Sequence, residues 1–376
     1  MSSRFHARTS WLQIACAAAV LAAVAGATSC TNKSSEPVHP GGSNTVIGAG
    51  STFIYPIMGR WIGAFQQTHN GVQINYQSIG SGGGIEQLKK GLIDFGASDA
   101  ALDDEQLKQM APVIQVPESA GPVCITYNLP ELKAPLKLSA ETLAGIFLGK
   151  IKTWQDPSIK KDNAGVNLPN HPILVAHRSD GSGTTNIFTT YLAKVSPEWA
   201  KVGKGISVSW PVGVGGKGSE GVTGVIRQSA GAIGYVELSY AKNNNMPVAL
   251  IRNRAGNWEE PTAAGTTAAI NAFRDDLAKD VRTPIVDPPA SARDAYPISG
   301  LTYLLVAKDG QDAGKRQMVK QFIEYVITDG QNSADSLFYA KLPQPVVDQD
   351  QKLLGEMLAN GQPIQTGTNA ANAGAR

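Results

Sequence analysis

Charge is scarce in this chain of 376 residues: Lys, Arg, Asp and Glu make up 17%, and 33 cations against 31 anions leave a net charge of +2. With no long basic run, the electrostatic footprint of a nucleic-acid binder is missing, and a nucleic-acid partner is excluded. Cysteine is scarcer still. There are three, two of them within the first thirty residues, so Cys124 has no partner for an internal disulfide framework. It lies in the apolar run Val123 to Tyr127 and reads as a small buried hydrophobe rather than a reactive thiol. His69, His171 and His177 lack metal-ligand spacing, so no metal site is expected. No Gly-Lys-Ser or Gly-Lys-Thr occurs, which removes the P-loop, and Gly181-Ser182-Gly183 is too compressed for a nucleophile elbow. Neither a cofactor nor a catalytic set is implied.

What the chain does have begins with a targeting segment, residues 1–30. Arg4 and Arg8 precede an apolar, alanine-rich stretch from Trp11 to Ala27 that is short for a spanning helix, so export to the periplasm or cell envelope is expected. Ala27-Thr28-Ser29-Cys30 resembles a lipoprotein processing box, with Cys30 the lipidated residue, although Ala27 stands where such boxes usually carry Leu. Ala25-Gly26-Ala27 also offers an ordinary cleavage site; lipidation is the preferred reading of the two. The Ser-, Pro- and Gly-rich tract 31–44 then reads as a flexible tether.

After Asn44, strand-like and helix-like segments alternate, the mark of an α/β protein with largely parallel sheets. The length suits two lobes sharing a cleft better than a single core. The first series has strands at 45–48, 72–76 and 93–97, with helices at 55–67 and from Ile85. A composition change at 116–122 opens a second series, starting with a strand at 123–127. It continues with a helix at 140–148, a strand at 173–176 and a helix at 184–194, then strands at 206–210 and 232–237. A buried strand at 300–307 and a helix at 315–328 follow, and the tail from about residue 363 reads as disordered.

Three turns, each after a strand and before a helix, carry the chemistry: Gly48-Ala49-Gly50-Ser51-Thr52-Phe53, Gly80-Ser81-Gly82-Gly83-Gly84 and Ser179-Asp180-Gly181-Ser182-Gly183-Thr184. Helix starts present unpaired N–H groups and partial positive charge, so three aimed at one point make an anion site, whereas any one alone is an ordinary cap. Arg178 adds a guanidinium suited to bidentate contact, and Asp180 is placed to hold it. Asp99, at the end of a strand beside this cluster, conflicts with an anion unless the anion carries a proton. Monohydrogen phosphate does; fully ionised sulfate does not. The competing role for Asp99 is a cap for the helix near Asp103. One further motif, Gly213-Val214-Gly215-Gly216-Lys217-Gly218 with Glu237 about twenty residues on, fits the dinucleotide fingerprint but lacks a second mononucleotide-binding half.

Gly-Ala-Gly-Ser-Thr-Phe (48–53), Asp-Phe-Gly-Ala-Ser-Asp (94–99) and Arg-Ser-Asp-Gly-Ser-Gly-Thr-Thr (178–185) resemble the phosphate-binding proteins of bacterial phosphate ABC transporters. The likeness extends through residues 148–154, 210–218 and 231–237, covers most of 45–345, and absorbs the glycine run without any nucleotide. It implies the type II periplasmic-binding fold, an α/β architecture with lobes at 45–117 plus 298–362 and at 118–297, and crossings near Pro117–Gly121 and Tyr296–Gly300. It also implies a dehydrated phosphate held by Thr52, the backbone of Phe53, Ser81, Asp99, Arg178, Ser182, Gly183 and Thr184, with Asp180 orienting the arginine. Inorganic phosphate and the transporter's permease subunits are the implied partners, a monomer is expected, and membrane contact comes only through a lipid anchor. An exported phosphomonoesterase and a binder of another oxyanion are the alternatives on the same scaffold.

Overall fold

The computed structural model describes residues 44–364. The targeting segment, Cys30 and the tether up to residue 43 lie outside the described residues, as do residues 365–376.

An eight-stranded sheet organises the molecule, in the order β2-β1-β3-β11-β4-β8-β6-β7. Its strands are β1 (Thr45–Gly50), β2 (Gln73–Ser78), β3 (Phe95–Ser98), β4 (Val113–Tyr127), β6 (Leu174–Arg178), β7 (Val214–Gly216), β8 (Ala232–Glu237) and β11 (Ser299–Ala307). A separate three-stranded sheet is formed by β5 (Lys137–Leu138), β9 (Leu250–Arg252) and β10 (Trp258–Glu259). Helices α1 (Tyr55–Thr68), α2 (Ser81–Lys89) and α3 (Asp104–Lys108) follow β1, β2 and β3. Then come α4 (Ala140–Phe147), α5 (Pro157–Asp162), α6 (Gly183–Val195), α7 (Gly218–Gln228) and α8 (Leu238–Asn243). The remaining helices are α9 (Ala263–Ala272), α10 (Arg274–Leu277), α11 (Ala313–Ile327) and α12 (Gln344–Gly355).

The outer strands pair parallel, β1 with β2 and β3, and β6 with β7 and β8. The central pairs of β11 with β3 and β4, and of β4 with β8, are antiparallel. β4 is the common element. Residues 113–122, Glu118 excepted, pair with β11 and the last five with β8, so the chain passes from one half of the sheet to the other without leaving the strand. The expected break at 116–122 is therefore continuous strand from Val113, buried over all but its first residue. Pro117, which has no N–H to donate, is tolerated there because the pairing with β11 is irregular at that point. Thr302 stands opposite Ser119 and Tyr303 opposite Pro117, leaving Glu118 as the extra residue of a β-bulge.

Helix placement follows the apolar periodicity. In α1, with Pro56 in the first turn, Ile57, Met58, Trp61 and Phe65 form one buried stripe against the sheet. The expected strand at 206–210 does not form, and the edge strand is the shorter β7. Gly203, Gly205 and Gly213 have φ of +102°, +147° and +109°, so the chain turns on either side of this stretch. Trp210 packs instead, stacked on His177 at 4.8 Å and Tyr235 at 5.7 Å. At the far end, β12 (Leu358–Ala359) pairs with β13 (Gln362–Pro363), and Lys320 Nζ donates to the Ile364 carbonyl at 3.0 Å. The described structure ends at Ile364, close to the point at about 363 where the tail was expected to begin.

Candidate functional site

The three turns meet. Gly82 N–H donates to the Gly181 carbonyl at 3.0 Å, and Gly183 N–H donates to Ser81 Oγ at 3.0 Å, so the start of α2 touches the start of α6. Glycine permits the close approach: a Cβ on Gly183 would lie 2.6 Å from Asp99 N and Cβ, and one on Gly82 3.0 Å from Gly181 Cα, while one on Gly84 would lie 2.6 Å from the Ala49 carbonyl and Gly50 Cα of β1. Thr52 comes in from the turn after β1, its Oγ1 accepting from Arg178 Nη1 at 3.1 Å. Thr52, Phe53, Ser81, Asp99, Arg178, Ser182, Gly183 and Thr184 are all buried and share this one region.

Arg178 ends β6 and is fixed by a two-point contact, Nε to Asp180 Oδ1 at 2.8 Å and Nη2 to Asp180 Oδ2 at 2.6 Å. Burial works against the guanidinium charge, but the Asp180 hydrogen bonds and charge prevail and hold its pKa above the usual value. Asp180, against its own burial, is held below the usual carboxylate range by Arg178 and by the Gly218 amide, 3.0 Å away. The fork is therefore permanently charged and oriented before any anion arrives.

Asp99 is 3% exposed. It is not a cap: Asp103 caps α3, in a capping box with Gln106. The Asp99 carboxylate instead receives hydroxyls. Ser51 Oγ donates to Oδ1, Thr302 Oγ1 lies 3.4 Å from Oδ1, and Thr184 Oγ1 donates to Oδ2 at 3.2 Å. Burial pushes its pKa up to about 6, against the lowering pull of Ser51, Arg178, Thr184 and Thr302.

Some of the caps are also caps in the ordinary sense. Ser182 Oγ accepts from Thr185 N–H at 3.1 Å, closing the first turn of α6. Ser81 does otherwise: it is the first residue of α2, after Gly80 at φ +86°, and its Oγ accepts from Asp99 N–H at 3.3 Å. Phe53 N–H donates to Ser51 Oγ at 3.0 Å, tying the first turn to the hydroxyl that faces Asp99.

Four participants escaped the sequence reading. Ser51 was given no role beyond its place in the first turn, yet its hydroxyl is a donor to Asp99. Ser219, at the start of α7, has Oγ 2.8 Å and N 3.3 Å from Thr52 Oγ1, so α7 is a fourth helix start converging on the site. The signal was present: the glycine run 213–218 lies between a strand and a helix like the other three turns. Thr302 and Glu118 come from β11 and β4, and only the strand pairing brings them here. Glu237, the acidic partner in the nucleotide reading, is wholly buried, with Tyr339 Oη donating to its Oε2 at 3.1 Å and Ser239 N–H to its Oε1 at 2.9 Å. It cannot reach a ribose. Cys124 is buried in β4, and burial raises its thiol pKa further.

A family model described as the PBP superfamily domain matches residues 35–330. The chain is 44% identical over 306 residues to "Phosphate-binding protein PstS" of Xylella fastidiosa (strain 9a5c), covering 81% of this chain and 83% of that one. It is 42% identical over 311 residues to the protein of the same name from Pasteurella multocida (strain Pm70), covering 82% and 89%. The crystal structure of the phosphate binding protein from Stenotrophomonas maltophilia superposes with a TM-score of 0.63 over 84% of this chain and 96% of that one, at 16% identity, a likeness of fold.

Proposed function

The chain belongs to the PBP superfamily and, within it, to the PstS family of phosphate-binding proteins; on that premise we propose that it binds inorganic phosphate with high affinity and delivers it to the permease of an ABC importer. Its fold is the type II periplasmic-binding fold. The proposed ligands are Thr52, the Phe53 amide, Ser81, Asp99, Arg178, Ser182, Gly183 and Thr184, with Asp180 holding the arginine.

The observation that carries this reading is the set of hydroxyl groups gathered around the buried carboxyl of Asp99. An ionised carboxylate offers about four acceptor sites. Three hydroxyls, from Ser51, Thr302 and Thr184, face it, leaving one for the P–OH of monohydrogen phosphate. Arg178 and the converging helix starts balance the ion's remaining charge. Sulfate has no proton to offer and would set a bare oxygen against the carboxylate.

Two lobes, 45–117 with 298–362 and 118–297, would close on the ion because it contacts turns from both, biasing a two-state hinge. The closed form, a monomer, would be what the permease recognises, with no catalytic step and no cofactor. Export to the periplasm or cell envelope, with lipid attachment at Cys30 and 31–44 as tether, completes the proposal. Among the described residues no helix is long and apolar enough to cross a membrane.

A thermal-shift comparison tests the binding claim. Phosphate at about a thousand times its Kd stabilises the folded form by about 4 kcal/mol, which moves Tm upward by several degrees. Equal concentrations of sulfate should leave Tm unmoved; equal shifts with both ions, or none with phosphate, would sink the assignment.

A further inference from the structure

We propose that Glu118 is a positioning residue for the anion site: as a neutral carboxylic acid it donates to Thr302, so that the single hydroxyl hydrogen of Thr302 is directed at Asp99. The inference rests on the phosphate reading of Asp99 for its consequence, though not for its geometry.

Glu118 is the extra residue of the bulge between β4 and β11, and bulges re-aim side chains next to functional sites. Its side chain is wholly buried. Oε1 lies 2.9 Å from Thr302 Oγ1, and Oε2 has no hydrogen-bond partner among the described residues. Thr302 Oγ1 therefore stands between two carboxyls, 2.9 Å from Glu118 and 3.4 Å from Asp99, with one hydrogen to give. Were both carboxyls ionised, one of them would lose that donor, and two negative charges would share a water-excluded pocket. A proton on Glu118 Oε1 resolves both conflicts, since Glu118 then donates to Thr302 and Thr302 to Asp99.

The titratable groups that face Glu118 are Asp99, at the end of β3, and the Tyr76 hydroxyl from β2. Gln331 Nε2 donates to its backbone carbonyl at 2.9 Å, and none of the described lysines or arginines pairs with its carboxyl. Burial, against the lowering pull of the Thr302 hydrogen bond and with the Asp99 charge adding to it, pushes Glu118 up to about 8, while burial raises Asp99 only to about 6. Burial and the shared Thr302 hydroxyl thus favour a proton on Glu118 over one on Asp99. The bulge lies within the part of β4 paired with β11, so the acid that orients the site belongs to one of the two central strands of the sheet.

Two variants separate this role from a role in packing or charge alone. Glu118→Gln is isosteric and keeps a donor toward Thr302, whereas Glu118→Leu removes charge and donor together. Phosphate affinity at pH 6.5 should be about fivefold tighter in Glu118→Gln than in Glu118→Leu, the worth of one buried hydrogen bond. The gap should vanish when Thr302→Val is added to both. At pH 9 wild type should weaken relative to Glu118→Gln, because only wild type can ionise there. In protein stripped of ions, the carboxyl carbon resonance of Asp99 should titrate several tenths of a pH unit higher in Glu118→Leu than in Glu118→Gln. Equal Asp99 midpoints, or a gap that survives Thr302→Val, would overturn the relay. If wild type takes up no phosphate, the phosphate reading fails, and the carboxyl titration still decides for or against Glu118.

Discussion

Ser51 illustrates how much one hydroxyl can do. It accepts from the Phe53 and Ile54 amides and donates to Asp99, so it joins the first turn to the carboxylate. In the balance of effects on Asp99, its hydrogen bond is the largest that opposes burial. Removing it in Ser51→Ala should lift the Asp99 pKa above its present value of about 6. The carboxylate must be ionised to accept the proton of the anion, so less of the variant is competent at pH 6 and nearly all of it at pH 8. Phosphate affinity in Ser51→Ala relative to wild type should therefore drop by about three- to tenfold at pH 6, the range expected for one hydrogen bond, and by less at pH 8. The ratio cancels the ionisation of phosphate itself. A loss that is flat with pH would mean that Ser51 acts by packing alone.

Among the elements, the helix starts were the most legible. Each turn announces itself by glycine and hydroxyl residues between apolar runs, because the chain needs sharp bends and close approach there. Gly183 makes the point quantitatively, since a Cβ would meet backbone and Cβ atoms of Asp99 at 2.6–2.7 Å. Gly183→Ala should push the start of α6 off Asp99 and weaken phosphate about 5- to 150-fold, the range set by typical overpacking costs of 1–3 kcal/mol. A titration of that variant matching wild type would show that α6 does not dock on Asp99. What sequence could not supply is what depends on pairing. Thr302 and Glu118 lie 184 positions apart and meet only through the β4–β11 register, whose bulge no local pattern encodes. The 206–210 stretch misled for the opposite reason: its alternation is strand-like, but glycines on both sides turn it away from the sheet edge. Ser219 was legible by the same rule as the other turns and was missed because the glycine run before it resembled a nucleotide motif.

At the scale of the molecule, one continuous sheet carries everything. β4 and β11 run through its centre, the outer strands on each side pair parallel, and the turns at their ends deliver Thr52, Ser81 and Asp99 from one side and Arg178, Ser182 and Thr184 from the other. The fold brings a fixed cation, several helix starts and one buried acid into a single region, the arrangement proposed above for an anion that still bears a proton. The measurement that tests this most directly is calorimetric titration of ion-stripped protein with phosphate and, separately, with sulfate, on wild type and on Asp99→Asn. One phosphate bound per wild-type chain and no heat from sulfate are expected, with phosphate weakened about 10- to 150-fold in the variant, the worth of a hydrogen bond to a charged group, and sulfate newly tolerated. Wild-type protein that takes sulfate as readily as phosphate, or a variant that discriminates as wild type does, would contradict the role given to Asp99 and the account built on it.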